Sequence, residues 1–153
     1  MTMRRAIRVA AAGSWPSEAA VGRLTLAYDD RHRRRIVLDA DDGRPLLLDL
    51  ERATVLADGD GLALDGGGWI LVRAAPEPVI EVLGKDAAAT ARLAWHLGNR
   101  HAPVQVLADG TLRLRDDPVL AAMLEGLGAE VKQCRAPFDP ERGAYAGARH
   151  HAD

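Results

Sequence analysis

Two prolines two residues apart, in Ala74-Ala75-Pro76-Glu77-Pro78, divide this chain. They hold the backbone extended and bar a helix from running through. The spacing of apolar residues changes across them. On the N-terminal side, from Ile7 to about Arg73, short apolar runs are cut by turn residues about every eight to twelve positions. Arg23–Tyr28, Arg35–Asp39, Pro45–Leu50, Thr54–Leu56, Leu62–Leu64 and Trp69–Arg73 read as strands. Asp41-Asp42-Gly43, Asp58-Gly59-Asp60-Gly61 and Gly66-Gly67-Gly68 read as turns. No window reaches helical length without a breaker, so residues 1–75 are expected to form a small all-β domain of strands and hairpins.

After the prolines the pattern alternates strand and helix. Val79–Leu83 reads as a strand. Asp86 can cap a helix rich in alanine and leucine that runs to Leu97, with Gly98 expected to end or loosen it. Asp109-Gly110 joins two apolar runs, Val104–Leu107 and Thr111–Leu114, as a hairpin. Asp117-Pro118 is an N-cap with proline at the first helical position. Gly128 closes that second helix, and Ala129–Lys132 begins a last strand. The order strand-helix-strand-strand-helix-strand is that of a ferredoxin-like (βαββαβ) domain, expected over residues 76–140. The expectation for the whole chain is therefore α+β: a small all-β domain, a ferredoxin-like domain, and a flexible histidine-containing tail over 141–153.

Composition limits function more than fold. With one Phe, two Tyr and three Trp, the core must be aliphatic. A net charge of −2 gives no global argument for nucleic acid or an anionic membrane. The single Cys134 excludes an intramolecular disulfide and fits a reducing compartment. The basic start, Met1–Ala6, is followed by too short an apolar run for a secretory leader, and no run approaches a membrane span. A cytoplasmic protein is expected.

Five histidines carry what chemistry there is. His101 sits on a bend between Gly98 and Pro103. It reads either as a metal ligand, since neutral imidazole suits Ni, Zn and Cu, or as a positive group at a helix C-terminus. His150 and His151 form a short tract that can close on a metal held elsewhere. His96, five residues before His101, misses the spacing that puts two imidazoles on one helical face. His32 lies in the basic run Arg31–Arg35, which reads as a solvated sheet edge among acidic turns. Cys134 falls in the last strand as a small hydrophobe. Gly66-Gly67-Gly68 precedes a strand and so lacks the helix N-terminus of a phosphate site. Nothing here supports an enzyme.

The stretch His96-Leu97-Gly98-Asn99-Arg100-His101, with Pro103, Gln105, Asp117, Leu127-Gly128-Ala129, Ala136–Glu141 and Gly143-Ala144-Tyr145, resembles the UreE family of urease accessory nickel metallochaperones. So do Leu24-Thr25-Leu26, Asp42-Gly43, Thr54-Val55-Leu56 and Asp58-Gly59-Asp60 in the N-terminal half. The resemblance implies an N-terminal domain that engages protein partners and a C-terminal domain that forms a homodimer. It implies that His101 is a metal ligand at the dimer interface, with His150 and His151 completing the shell. The cargo would be Ni²⁺, passed through the accessory GTPase and its partners to apo-urease; Zn²⁺ or Cu²⁺ would also bind such donors in vitro. No nucleic acid or membrane partner is implied. The chain departs from family members that carry a long histidine-rich tail, and from those with histidines where it has Asp116 and Pro118. Two other readings compete: a zinc or copper homeostasis protein on the same scaffold, and an RNA or ribosome-maturation module using Arg31–Arg35.

Overall fold

The computed structural model describes residues 3–142. The chain forms two compact units, Met1–Pro76 and Glu77–Asp153. Among the described residues no helix is long and apolar enough to cross a membrane.

The first unit is one six-stranded sheet, made of β1 (Arg4–Ala10), β2 (Ala20–Leu26), β3 (His32–Asp39), β4 (Pro45–Val55), β5 (Gly61–Leu64) and β6 (Trp69–Ala74). The strand order is β2-β6-β5-β1-β4-β3. Alternation decides which side chains go inside: Leu46, Leu48 and Leu50 point into a core with Leu24, Leu56, Leu62, Ile70 and Val72. As expected from composition, that cluster is aliphatic.

Three features differ from expectation. Residues 4–10 form an interior strand, whereas the sequence pattern marks no strand before Arg23. Ala6 is fully buried, while Arg5 reaches Asp49 and Asp65 at 3.0 Å each and Arg4 reaches Asp42 at 3.4 Å. Second, Pro45–Leu50 and Thr54–Leu56 are not two strands, because Pro45–Val55 runs on as one. Third, hairpins are not the whole sheet: β1 pairs with β4, and β2 with β6, in parallel. The basic run is also not uniformly solvated. His32, Arg34 and Arg35 are exposed, but Arg31 is fully buried. Its guanidinium donates to the Leu56 carbonyl at 3.0 Å and lies over the Tyr28 ring. Arg33 and Arg35 pair with Asp30 and Asp49, so this edge strand carries compensated charge.

Acidic turn residues act as backbone acceptors. Asp60, almost fully buried, accepts the N–H groups of Ala12 and Ala57 at 3.1 and 2.9 Å, and Asp58 accepts that of Ala74 at 2.9 Å. A buried carboxylate is tolerable only with such partners. The Trp15 indole donates to the Gly59 carbonyl and stacks on Trp69 at 5.3 Å. Across the sheet, Asp41 in the turn after β3 binds the far edge strand. Its N–H donates to the Arg23 carbonyl at 2.8 Å, and its carboxylate takes the Thr25 N–H and hydroxyl.

The second unit runs β7 (Pro76–Leu83), α1 (Ala87–Asn99), β8 (Gln105–Val106), β9 (Leu112–Arg115), α2 (Pro118–Gly126) and β10 (Glu130–Pro137). Its sheet order is β10-β7-β9-β8, with β7–β9 and β8–β9 antiparallel. Both N-caps fall where the sequence puts them. Asp86 accepts the Ala89 N–H at 2.8 Å, and Asp117 accepts those of Val119 and Leu120. Leu93, Leu97 and Leu124 from the helices meet Ile80, Val82, Leu112 and Leu114 from one face of the sheet. Gly84 allows close approach of α1, since a Cβ there would lie 2.6 Å from the Thr90 amide nitrogen. Glu141, expected in a flexible tail, is instead bonded through its N–H to the Val104 carbonyl at 2.7 Å. Gly143-Ala144-Tyr145 and the rest of that tail lie outside the described residues.

Two outcomes test the first unit. A Cβ on Gly61 would run into the Trp15 ring. Gly61→Ala should therefore cost about 1–3 kcal/mol by denaturant unfolding, the usual penalty of overpacking; an unchanged midpoint would contradict the packing. The Arg5 hydrogen bond first, with Arg35 nearby, holds the Asp49 carboxyl below its ordinary value of 3.8. That contribution is present above this value and is lost as pH falls through the lower folded one. Asp49→Asn should thus flatten the acid limb of the stability profile below about pH 4.

Candidate metal site

Helix α1 ends in an unusual way. A helix leaves its last carbonyls without partners, and one common stop turns the next residue left-handed so that two N–H groups fold back. Here the cap is Arg100 and the left-handed residue is His101, at φ 59°. The His101 N–H donates to the Gly98 carbonyl and that of Ala102 to Leu97, both at 3.0 Å. Helix α2 stops by the same pair of bonds, Gly128 to Glu125 at 2.9 Å and Ala129 to Leu124 at 3.0 Å, with Gly128 at φ 89°. The two helix ends differ in one respect: the second uses glycine and the first uses histidine.

Among the described residues, His101 is alone in having positive φ without being glycine. A side chain costs about 1–2 kcal/mol in that conformation, and strain of this kind is a pointer to function. Gly98, expected to end or loosen the helix, lies inside its last turn instead. The local sign of the true stop was Pro103, since proline is common just after such a cap.

The His101 side chain is exposed. Its neighbours Arg100, Ala102 and Pro103 line a groove of about 590 Å³, whose other wall includes Asp116, Asp117 and Val119. Val119 is 72% exposed, and Trp95 on α1 is 65% exposed. His96 is half-buried and edge-on to Trp95 at 5.1 Å. Among the described residues no group of three His, Cys, Asp or Glu side chains is placed to hold a metal ion. His150 and His151 lie outside the described residues. Cys134 is half-buried on β10, where burial first and the Glu81 carboxylate second push its thiol up. A thiol that resists ionisation is a poor metal ligand. Glu81 itself is held by Arg113 at 2.7 Å.

The left-handed stop makes a testable trade. His101→Gly should stabilise the unit by about 1 kcal/mol, and His101→Ala, which keeps a Cβ, should not. Equal stability of the two variants by denaturant unfolding would show that the conformation carries no strain.

Comparison with known proteins covers both units. The family model for the UreE urease accessory protein, N-terminal domain, matches residues 4–75, and that for its C-terminal domain matches residues 77–153. A urease accessory protein UreE of Rhodopseudomonas palustris (strain HaA2) is 50% identical over 150 residues, spanning 98% of this chain and 69% of that protein. The UreE of Bradyrhizobium sp. (strain ORS 278) is 51% identical over 97% of this chain and 70% of its own. That of Beijerinckia indica is 49% identical over 97% and 86% respectively. With both domains matched in order and half the residues shared, the chain belongs to the UreE family of urease accessory proteins.

Proposed function

We propose that this chain is a nickel metallochaperone, an accessory protein without a catalytic step of its own, which carries Ni²⁺ to apo-urease while the urease active site is assembled. The observation that supports this most is His101: an exposed imidazole at a strained helix stop, in a UreE-family chain. Neutral imidazole is a good ligand for Ni²⁺. Its stem is fixed by backbone hydrogen bonds, so only the ring has to be oriented on binding.

One imidazole is a weak site. A homodimer doubles it, because a two-fold axis sets a residue against its own copy. His150 and His151 supply further donors from the C-terminal segment. The element order and the sheet order β10-β7-β9-β8 fit a ferredoxin-like domain over residues 76–140 that serves as the dimerisation unit. The sheet of residues 1–75 engages the protein partners, the accessory GTPase and the apo-urease complex. The setting is the cytoplasm. Nickel here is cargo: a site with few donors per chain releases its ion more readily than a closed four-ligand one. Zn²⁺ and Cu²⁺ bind the same donors in vitro.

Calorimetric titration with Ni²⁺ tests the reading on wild type, His101→Ala and a chain truncated after Ala148. His101→Ala should lower affinity by about tenfold or more, and truncation by less. Binding should weaken as pH falls from neutrality to about 5, because protonated imidazole cannot ligate. Wild-type affinity in His101→Ala, or a flat pH profile, would sink the proposal.

A further inference from the structure

The two helix stops of the C-terminal unit are made alike but lead into different strands. Gly128, at φ 89°, meets no steric cost and opens onto β10, eight residues long. His101, at φ 59°, opens onto β8, two residues long and at the border of its sheet, where it pairs with β9. The strained stop therefore has the shorter strand behind it. A left-handed side chain is disfavoured by about five- to thirtyfold in population, and a two-residue ladder is little to set against that. Residues 139–141 tie β8 a second time. The Asp139 N–H donates to Gln105 Oε1 at 3.0 Å. The Glu141 N–H donates to the Val104 carbonyl at 2.7 Å, and the Val106 N–H donates to Glu141 Oε1 at 3.1 Å. This strap is itself held, since Arg113 Nη1 donates to the Pro137 carbonyl at 2.9 Å and Phe138 is fully buried. Arg113 is opposite Gln105 on one side and Glu81 on the other, and Glu81 fixes it at 2.7 Å.

We propose that this strap holds the His101 backbone in its left-handed form and so positions the imidazole, with Gln105 and Glu141 as positioning residues. The inference rests on the reading of His101 as a nickel ligand. The bend 100–104 is clamped at both ends. On the helix side the His101 and Ala102 N–H groups donate to the Gly98 and Leu97 carbonyls, and Leu97 is fully buried. On the strand side Glu141 holds the carbonyl of Val104, three residues after His101. Without the strap the strand end is freer to shift, and His101 can relax to an ordinary φ that carries the ring away from the place the helix stop gives it. A site whose competent form is populated about a fifth of the time binds its ion about fivefold more weakly. Gln105 and Glu141 act through the bend: the Gln105 Oε1 is engaged by Asp139 and the Glu141 Oε1 by Val106.

The test cuts the strap and reads both helix ends. Gln105→Ala/Glu141→Pro removes the two side-chain acceptors, and proline has no N–H for Val104. Amide hydrogen exchange of the metal-free full chain is followed at Ala102, whose N–H closes α1, and at Ala129, whose N–H closes α2. Exchange at Ala102 should quicken by about fivefold or more, with Ala129 unchanged. The same cut made in His101→Gly should leave Ala102 as it was, because glycine is at ease left-handed. Calorimetric Ni²⁺ affinity should fall about fivefold in the strap variant. Gln105→Ala/Glu141→Ala, a milder cut that leaves the Val104 bond, should move both readouts the same way by less. Glu141→Gln, which keeps an acceptor for Val106, should match wild type in both. Quickening at both helix ends, or equal quickening in the wild-type and His101→Gly backgrounds, would overturn the proposal in favour of a merely structural strap. Unchanged Ni²⁺ affinity in the strap variant would overturn it too, as would weakening in Glu141→Gln, which would make the carboxylate itself part of the site. His101→Ala, titrated alongside, keeps the two readings apart. Normal Ni²⁺ binding there sinks the nickel reading, whereas lost binding there with a failed exchange comparison sinks the strap alone.

Discussion

Each helix of the C-terminal unit must stop where the chain turns back into strand, and both stop by the same two backbone hydrogen bonds. The geometry needs one left-handed residue. At α2 it is Gly128, where no side chain pays a steric cost; at α1 it is His101. The fold requires only that the position be left-handed, which glycine satisfies best. Placing an imidazole there costs stability and presents an exposed ring whose stem is set by main-chain bonds. Leu97, whose carbonyl takes one of those bonds, is also fully buried in the core. The exposed ring is therefore four residues from a packed anchor.

What the sequence made legible was local. Asp86, Asp117-Pro118, Gly128 and Asp109-Gly110 each carry their instruction within three or four residues, and the structure uses all of them as caps or turns. What it hid was set at a distance. The Arg4–Ala10 strand is hidden because its arginines break the apolar pattern, and Arg4 and Arg5 gain partners only when Asp42, Asp49 and Asp65 are brought beside them. The parallel pairings join strands far apart in sequence, which no turn signal announces. Arg31 sat in a charge run, and only folding puts the Leu56 carbonyl and Tyr28 ring around it. His101 was visible as a histidine on a bend. Its strain was not, because Gly98, three residues earlier, looked like the natural stop.

In the N-terminal unit, the acidic turns do more than mark the ends of strands. Asp41, Asp58 and Asp60 each accept main-chain N–H groups that no sheet ladder serves. Asp60 is buried while doing so, and asparagine would supply only one acceptor oxygen where the two donors need two. Trp15, packed against Gly61, leaves no room for even a methyl group there. Large rings and a glycine thus fit together in a unit whose main core cluster is aliphatic.

The bonds that Glu141 makes have a consequence for the edge of the C-terminal sheet. Strand β8 is the outermost strand on its side of the sheet, and an outermost strand ordinarily offers main-chain groups to any passing chain as a template for further pairing. Glu141 takes up the Val104 carbonyl and the Val106 N–H. That border is closed by the protein's own chain, so the unit can crowd against other proteins without recruiting their strands into aggregates.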